Sequence, residues 1–318
     1  MPCDPLGACW CKELPAVMTV DAGKTCLCRS CLDAAILAKP VEHLSETALL
    51  AAAFRANESA RADALFSDPF ARMLAGDRGA ALLRSAKGTA LWEFAIAVRT
   101  RVIDDLLFGA FAENPIDVVM NLGAGLDARP YRLTIPPHVR WIEVDDAAIL
   151  DYKRRILAGF RPQCALEWIA DDITDGSGRW RSASDGRSTM VITEGVLGYL
   201  AREDVAAIAR TLRDARVRWW ILDHPTTIHL DLIARAWNLP ESDLPLGERF
   251  APQDVGAFFA PYGWTLAREY RHADSAAALG RIVPRSAIEE LIPYLPPSGF
   301  GDGGYANSGY ALLFREDV

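Results

Sequence analysis

The sequence predicts an α/β fold built around a doubly wound, mostly parallel sheet, and three observations favour it. An apolar run at 118–122 is followed by two glycines, as at the start of a strand–turn–helix unit. Short apolar runs typical of buried strands recur from 139 to 222, with segments of helical spacing between them. The chain has 318 residues, of which 51% are hydrophobic, and this is enough for a substantial core.

Residues 1–40 form a compositionally separate segment, and six of the seven cysteines lie between Cys3 and Cys31. Cys28-x-x-Cys31 has the spacing of half a zinc knuckle, and in a reducing cytosol clustered cysteines are more often metal ligands than disulfides. The segment also resembles small bacterial cysteine-rich modules named for their Cys-Trp-Cys motif, although only Cys3 remains of the cysteines that normally come first. We expect zinc to hold this module together, and a disordered tail with reactive thiols is the alternative. The candidate metal ligands are Cys9, Cys11, Cys26, Cys28 and Cys31.

A group of predicted helices separates the cysteine-rich segment from the first strand. Ser45 is an N-cap candidate for an alanine- and leucine-rich helix, and Asp68-Pro69 breaks the helical pattern. The predicted helices cover about 45–65, 69–74, 80–97 and 99–111. We therefore divide the chain into a cysteine-rich module, 1–40, and one domain, 41–318, which begins with a helical cap over 41–113.

The stretch from 117 to 146 predicts a nucleoside site. The first strand ends in the turn Gly123-Ala124-Gly125, where glycines permit a sharp bend and the close approach of a ligand to the backbone. A second apolar strand at 139–144 is followed by Asp145. An ionised carboxylate at this place can accept hydrogen bonds from both hydroxyls of a ribose.

The residues of the turn also indicate which nucleoside cofactor is suited to it. Asp127 lies near the start of the following helix, where a dinucleotide would place its pyrophosphate, and a fixed negative charge is unfavourable there. A cofactor with a cationic centre and no phosphate fits better, and S-adenosyl-L-methionine is such a cofactor. The nicotinamide-dependent oxidoreductase is the alternative that this argument disfavours.

Several ordered motifs resemble those of the leucine carboxyl methyltransferase family, in particular its bacterial branch of polyketide-type O-methyltransferases. The first is Leu-Gly-Ala-Gly-Leu-Asp-Ala-Arg-Pro-Tyr-Arg-Leu at 122–133. The others are Arg-Ala-x-Glu-Ser and Leu-Phe-x-Asp-Pro-Phe-Ala within 47–71, Arg-Thr-Arg-x-Ile-Asp-Asp at 99–105, Trp-Ile-Glu-Val-Asp at 141–145, and Ile-Thr-Glu-Gly-Val-Leu-x-Tyr-Leu at 192–200. The resemblance extends from about Ser45 to the C-terminus.

The resemblance implies a class I methyltransferase Rossmann-like sheet that ends in an antiparallel hairpin, with the helical cap closing over the cofactor. In the family, an arginine of the 99–105 motif binds the methionine carboxylate, which makes Arg99 the first candidate and Arg55 the second. An aspartate after the third strand accepts a hydrogen bond from the adenine amino group, and the next backbone amide meets a ring nitrogen. Asp172 and Ile173 match these positions.

Two later strands end in further candidate residues, since ligands of open α/β sheets lie at the carboxyl ends of the strands. Glu194 follows the fourth strand, and a carboxylate there can bind the cofactor's ammonium group or stabilise the sulfonium. Tyr199 is a candidate pocket wall, with core packing as the alternative. His224 follows the fifth strand and is the histidine best placed to act as a base; the other four histidines have nothing in their sequence surroundings that suggests a site.

The remaining pattern predicts the rest of the sheet and its covering helices. Strands are predicted at 165–170, 189–193, 217–222, 264–270 and 308–314. Helices are predicted at 147–159, 202–215, 226–237 and 251–260. Exposed loops are predicted at 176–187, 241–249 and 293–304.

Composition excludes some classes of partner. The net charge is −8 and no run of basic residues is present, so we expect no nucleic-acid partner. No apolar run reaches 18 residues and no signal-peptide pattern opens the chain, so we expect no membrane partner and a cytoplasmic location. The oligomeric state is not predictable from this sequence.

These observations predict an S-adenosyl-L-methionine-dependent O-methyltransferase that acts on a carboxylate or hydroxyl of a small molecule such as a polyketide-like acid. A carboxylic acid, with a pKa near ~4, needs no base at neutral pH, whereas a phenol, with a pKa near ~10, would use one, and His224 is the candidate. Carboxyl methylation of a protein C-terminus and a non-catalytic cofactor-binding sensor are the alternatives.

Overall fold

The protein, seen in a computed structural model, is described over residues 44–175, 178–236, 248–283, 285–294 and 308–315. Three long helices come first: α1 (Leu44–Ser59), α2 (Ala71–Ser85) and α3 (Thr89–Glu113). Within the described residues, no helix is long and apolar enough to cross a membrane. The five cysteines proposed as metal ligands lie outside the described residues.

In the part of the chain that the structure describes, seven strands and seven shorter α-helices follow the cap. The strands are β1 (Val118–Leu122), β2 (Arg140–Asp145), β3 (Ala165–Ala170), β4 (Thr189–Thr193), β5 (Trp219–His224), β6 (Thr265–Arg271) and β7 (Gly309–Phe314). The helices are α4 (Arg129–Arg132), α5 (Ala147–Leu157), α6 (Arg202–Asp214), α7 (Thr227–Ala236), α8 (Val255–Phe259), α9 (His272–Ala278) and α10 (Arg285–Leu291).

The strands form one sheet in the order β3-β2-β1-β4-β5-β7-β6. Strands β1 to β5 pair in parallel, and β7 pairs antiparallel with both β5 and β6. The predicted doubly wound sheet with a terminal antiparallel pair is therefore confirmed. The strand order reverses between β1 and β4, and in such sheets a crevice opens at that place beyond the carboxyl ends of the strands.

The apolar strands are buried because both faces of the sheet are covered. In β1, Val118, Met120 and Leu122 belong to one core cluster, while Val119 belongs to the cluster on the other side. This alternation follows from the two-residue period of a strand, which sends successive side chains to opposite faces. Packing of the core therefore fixes the positions of the strand ends, where the polar candidate site residues lie.

The helical cap differs from its sequence prediction in three places. Helix α2 covers Ala71–Ser85 and so spans the predicted gap between 74 and 80, while the predicted helix 80–97 is divided at 86–88, where Gly88 adopts a left-handed φ of 65° before α3.

Helix α1 ends at Ser59 instead of near Leu65, because side chains of the last turn bind the amides of the following loop: Glu58 Oε1 accepts from Leu65 N, and Ser59 Oγ accepts from Asp68 N. Helix α3 runs unbroken through the predicted gap between 97 and 99, because no proline or glycine lies near Val98 and the apolar face of the helix stays buried there.

Two further predictions need correction. The segment 176–187, expected to be an exposed polar loop, contains the 3₁₀-helix Arg179–Ser182, and Trp180 is buried in the core against the sheet. Burial of the large apolar surface of Trp180 outweighs the preference of its polar neighbours for solvent. The helix after the glycine turn is only the single turn α4, with Pro130 near its start. Most of the predicted loops 241–249 and 293–304 lie outside the described residues.

Candidate functional site

A cavity of about 870 Å³ lies at the carboxyl ends of the parallel strands. The cap closes one side of it with residues of α1 and α3, and α7 and α9 bound the side near β5 and β7. The structure brings every sequence-predicted site residue of the 41–318 domain to this cavity. These residues are Arg55, Arg99, Gly123, Ala124, Gly125, Asp145, Asp172, Ile173, Glu194, Tyr199 and His224.

The glycine turn and Asp145 are held together by hydrogen bonds. Gly123 and Gly125 have φ angles of 71° and 47°, in the left-handed region that favours glycine. Asp145 Oδ2 accepts from Gly125 N at 2.6 Å, and Asp145 Oδ1 accepts from Asp146 N at 2.7 Å. Burial raises the pKa of Asp145, and the two amide hydrogen bonds oppose that rise. The acid at the end of β2 is thus fixed in orientation beside the turn.

The two acids after β3 have different partners. Both oxygens of Asp171 accept from backbone amides, those of Asp172 and Arg179. Asp172 is exposed at the cavity, and its Oδ1 accepts from both the amide and the hydroxyl of Thr174. Ile173 packs against the core cluster on this side of the sheet. Of the two acids, Asp172 therefore has one carboxylate oxygen, Oδ2, that takes no part in these hydrogen bonds.

A continuous chain of ion pairs, here called the charged network, extends from the cavity into the cap, and six of its nine residues line the cavity. Glu194 lies at its centre: Oε1 accepts from Arg99 Nε at 2.9 Å and Oε2 from Arg129 Nη1 at 2.6 Å. The network joins four arginines to five carboxylates, namely Arg55, Arg99, Arg129 and Arg132 with Asp68, Asp104, Asp127, Glu194 and Asp223.

Arg129 is the most connected member of the network and is deeply buried. Its side chain is 2% exposed and contacts Asp104, Asp127 and Glu194. Burial opposes the charge of Asp127, but the Arg129 guanidinium prevails and lowers the pKa of Asp127 to about 2. Burial likewise opposes ionisation of Glu194, while Arg129 and Arg99 hold its pKa below the ordinary value. Asp127 and Glu194 are therefore charged at neutral pH.

The two arginines proposed for the cofactor's carboxylate differ in their surroundings. Arg99 donates from Nε to Glu194 and from Nη1 to Asp223. Arg55 donates from Nε to Asp68 and from Nη2 to the carbonyl oxygen of Leu126, which ties α1 to the glycine turn. Both line the cavity, and the contacts of Arg55 are those of a group that fixes the cap against the sheet.

The half of the cavity beyond β5 and β7, here called the histidine half, has neutral polar groups in apolar surroundings. His224, His229 and His272 line it together with Tyr310 and the side chain of Trp92. His229 stacks on Trp92 with ring centroids 5.7 Å apart, and His272 Nδ1 contacts the Tyr310 hydroxyl. Burial lowers the pKa of His224 to about 4 and those of His229 and His272 to about 3. The three imidazoles are thus neutral at pH 7.

Tyr199 lies between the charged network and the histidine half. Its side chain is hydrogen-bonded to Thr47 of the cap, and burial raises the pKa of Tyr199 to about 12. The phenol therefore stays protonated at neutral pH. Tyr199 therefore lines the cavity, as expected of a pocket wall, and its protonated hydroxyl does not act as a base at neutral pH.

Sequence reasoning missed four residues of this site: Arg129, Asp223, His229 and His272. Asp223 and Arg129 carried a local signal, because one ends β5 and the other lies in the glycine-turn motif. His229 and His272 carried none. They come from α7 and α9 and approach the β5 end only through the tertiary fold.

Gly195 has a steric reason to be glycine, and this yields a first prediction. Its φ is 67°, and a Cβ there would lie 3.0 Å from Arg99 Nη1 and Nη2. Gly186 has a similar φ of 70° but no atom within 4 Å of its would-be Cβ. In urea unfolding, Gly186→Ala is expected to lower the free energy of unfolding by about 1–2 kcal/mol, the strain alone. Gly195→Ala is expected to lower it further, because Arg99 must shift. Equal losses for the two variants would show that Arg99 does not depend on this glycine.

Within the described residues, no group of three or more His, Cys, Asp or Glu side chains could hold a metal ion. The zinc prediction rests on the cysteines of 1–40 and stays a prediction.

The comparison with protein families finds that the model described as leucine carboxyl methyltransferase matches residues 48–213. A protein of Parafrankia sp. (strain EAN1pec), named "Putative S-adenosyl-L-methionine-dependent methyltransferase", is 32% identical over 266 residues, which cover 76% of this chain and 83% of that protein. A protein of Mycobacterium tuberculosis (strain ATCC 25177 / H37Ra) with the same description is 27% identical over 293 residues, covering 79% of this chain and 89% of that protein.

Two solved structures share the fold. A DUF574 family protein from Streptomyces avermitilis MA-4680 has a TM-score of 0.53 at 14% identity, covering 88% of this chain and 99% of that one. A protein from Thermobifida fusca YX, described as a putative methyltransferase, has a TM-score of 0.52 at 16% identity, covering 88% and 96%. These likenesses concern the fold alone, and they confirm the predicted class I methyltransferase architecture.

Proposed function

The chain belongs to the leucine carboxyl methyltransferase family, and we propose that this S-adenosyl-L-methionine-dependent methyltransferase transfers the methyl group to an oxygen of a small molecule. The acceptor oxygen belongs to a carboxylate or hydroxyl of, for example, a polyketide-like acid. The observation that carries the proposal is that the predicted cofactor residues and the histidine half share one cavity. No nucleic acid or membrane takes part in this proposal.

The charge of the site supports the cofactor. Seven carboxylates and three arginines line the described part of the cavity, an excess of negative charge. S-adenosyl-L-methionine carries an ammonium, a sulfonium and a carboxylate, an excess of one positive charge, so the two are complementary. Asp145 is oriented by Gly125 and would hold the ribose, and Arg99 would hold the carboxylate of the methionine end. Asp172 and the amide of Ile173 would contact the adenine.

When bound, the cofactor supplies an electrophilic methyl group on a sulfonium. The protein's contribution is then to bring the acceptor oxygen into line with that methyl group and to exclude water. The cap helices α1 and α3 cover the cavity and suit that purpose. The volume of about 870 Å³ falls within the roughly 300–1,000 Å³ of small-molecule pockets, which favours a small acceptor over a folded protein surface.

Removal of the Asp145 carboxylate provides a second prediction. Asp145→Ala is expected to weaken binding of S-adenosylhomocysteine by about 1–3 kcal/mol, because hydrogen bonds to a charged group are lost. Isothermal titration calorimetry measures this directly. Asp151→Ala is the matched control, since Asp151 is an exposed carboxylate of α5 outside the cavity. An affinity for Asp145→Ala equal to that of the control would remove Asp145 from the cofactor site.

Two assays separate the proposed function from its alternatives. The first is a calorimetric titration of the full chain with S-adenosylhomocysteine beside NAD; binding of NAD alone would refute the proposal and support a nicotinamide-dependent oxidoreductase. The second is turnover of S-adenosyl-L-methionine with a panel of small oxygen acceptors and with a peptide that ends in a free carboxylate. Methylation of the peptide alone would support a protein acceptor. Binding without any turnover would support the sensor alternative.

A further inference from the structure

Asp223 is a half-buried acid at the end of β5 to which the proposed function gives no role. Its side chain is 17% exposed and lines the cavity. Oδ1 accepts from Gly195 N at 2.8 Å, and Oδ2 accepts from Arg99 Nη1 at 3.2 Å. One carboxylate therefore joins the end of β5 to the loop that follows β4 and to helix α3.

The guanidinium of Arg99 is held from two sides and keeps one donor free. Nε donates to Glu194 Oε1 at 2.9 Å, and Nη1 donates to Asp223. Nη2 makes no hydrogen bond to any of the described residues, and it keeps accessible surface, since it is not among the buried donors without a partner. The side chain as a whole is 19% exposed and lines the cavity. Nη2 is thus the open donor of Arg99, and the two carboxylates set its position.

Gly195 packs against the same guanidinium. A Cβ on this glycine would lie 3.0 Å from both Nη1 and Nη2, so its backbone lies close to the end of the arginine. The amide of Gly195 is the group that donates to Asp223 Oδ1. Asp223 therefore fixes both the arginine and the backbone that packs on it.

This restraint has a consequence for binding. An arginine that is free to move loses rotamer freedom when a ligand immobilises it, and that loss lowers the affinity. An arginine that is already fixed by its neighbours avoids most of the loss. The placement of the donor also matters, because hydrogen bonds between a guanidinium and a carboxylate depend on their relative orientation.

We propose that Asp223 is a positioning residue of the cofactor site: it holds Arg99 so that Nη2 meets the carboxylate of the methionine end, and it thereby makes the site select ligands that carry this carboxylate. The inference rests on the proposed function, which assigns that carboxylate to Arg99. Glu194 is shared between Arg99 and Arg129. Among the described residues, Asp223 pairs with no cation other than Arg99, so its effect on the ligand passes through that arginine.

The test compares two ligands that differ only in the carboxylate. Isothermal titration calorimetry measures the affinity of the full chain for S-adenosylhomocysteine and for its decarboxylated analogue, which keeps the adenosine, the thioether and the amine. The original protein is expected to prefer S-adenosylhomocysteine by about 10–100-fold, the range for a hydrogen bond between charged groups. Equal affinities would remove the carboxylate from Arg99 and overturn that part of the proposed function together with this inference.

Asp223→Asn keeps the shape of the side chain and changes its hydrogen bonding. With its carbonyl oxygen on Gly195 N, the amide directs its NH₂ group at Arg99 Nη1, and two donors cannot pair. Arg99 is then displaced, so the preference for S-adenosylhomocysteine over the analogue is expected to fall at least about fivefold, while the affinity for the analogue changes little. An unchanged preference in Asp223→Asn, with the original protein showing one, would overturn the inference alone. Equal weakening of both ligands would show a merely structural role and would also overturn it.

Asp171→Asn is the matched control. Asp171 also lines the cavity, and both of its oxygens accept from backbone amides, those of Asp172 and Arg179. This substitution should leave the ratio of the two affinities as it is in the original protein. Asp223→Glu keeps the charge and moves it by one methylene, and it provides the same comparison should Asp223→Asn fail to fold. Its ratio is expected to fall as well, because Nη1 must follow the longer side chain, and an unchanged ratio would count against the inference.

A double variant determines whether Asp223 acts through Arg99. Arg99→Gln is expected to abolish the preference for S-adenosylhomocysteine over the analogue. Adding Asp223→Asn to Arg99→Gln should then change the ratio no further, because the two residues act as one unit. A further fall in the double variant would show that Asp223 reaches the ligand by another route, and the positioning role would be refuted.

Discussion

Replacing Arg129 with methionine is expected to lower the free energy of unfolding by about 3–5 kcal/mol, the loss typical when one partner of a buried ion pair is removed. The reason lies in what the substitution leaves behind. Asp104, Asp127 and Glu194 are all buried or half-buried and all contact the Arg129 guanidinium. Methionine keeps most of the side-chain length and removes only the charge and the donors, so the loss reports the missing ion pairs and not a cavity. Asp104 and Glu194 keep Arg132 and Arg99 as partners, so Asp127 is the carboxylate that loses most.

The matched control is Arg285→Ala on α10. Arg285 contacts Glu289 at 2.8 Å in the same kind of ion pair, but its side chain is 90% exposed. An exposed i,i+4 pair contributes about 0.3–0.5 kcal/mol, so the control should be close to neutral. Urea unfolding measures both variants. If Arg129→Met loses no more than Arg285→Ala, the charged network does not stabilise the fold and its carboxylates find other partners.

Acidification is expected to destabilise the protein well above the pKa range of ordinary carboxylates. Burial lowers the pKa values of His224, His229 and His272 to about 4, 3 and 3, while an unfolded histidine titrates near ~6.5. Between about pH 6.5 and pH 4 these histidines are therefore protonated in the unfolded state and remain neutral in the folded state. Stability is fully present above this window and falls as the pH falls through it, by about 1.4 kcal/mol per pH unit for each histidine.

Three histidines could give a slope of up to about 4 kcal/mol per pH unit. Part of that slope is offset by Glu143, Asp145 and Asp223, because burial raises the pKa of each and the folded state binds their protons first. The test therefore compares the pH dependence of the free energy of unfolding between variants and the original protein. Between pH 6 and pH 4.5, His229→Gln should reduce the slope of the free energy of unfolding against pH by about 1.4 kcal/mol per pH unit, the contribution of one proton. His138→Gln, at an exposed position, should leave the slope unchanged. Parallel curves for His229→Gln and the original protein would show that His229 accepts its proton in the folded state.

The parts of the site that the sequence predicted are those fixed by local structure. A strand followed by glycines and a second strand followed by an acid determine where Gly123, Gly125 and Asp145 lie relative to one another, because parallel strands in register end at one edge. The same reasoning placed Glu194 and His224 at that edge. The antiparallel end of the sheet followed from the family resemblance.

The parts that the sequence did not predict depend on which distant residues meet. In the sequence, nothing distinguishes Arg129 from the other arginine of its motif. Its burial among Asp104, Asp127 and Glu194 results from the packing of α3 against the ends of β1 and β4. His272 enters the site from a helix that follows β6, nearly fifty residues after His224 in the chain. The continuity of α3 was missed because the break was inferred from a change in local pattern, where no residue forbids the helix.

A crystal structure of the full chain with S-adenosylhomocysteine would test the central claim most directly. The account predicts the ribose hydroxyls on Asp145, the adenine beside Asp172 and Ile173, and the methionine carboxylate on Arg99. The sulfur should then face the histidine half, within reach of an acceptor bound there. A nucleoside bound in the histidine half, or a sulfur directed away from it, would contradict both the cofactor residues and the acceptor site inferred from them.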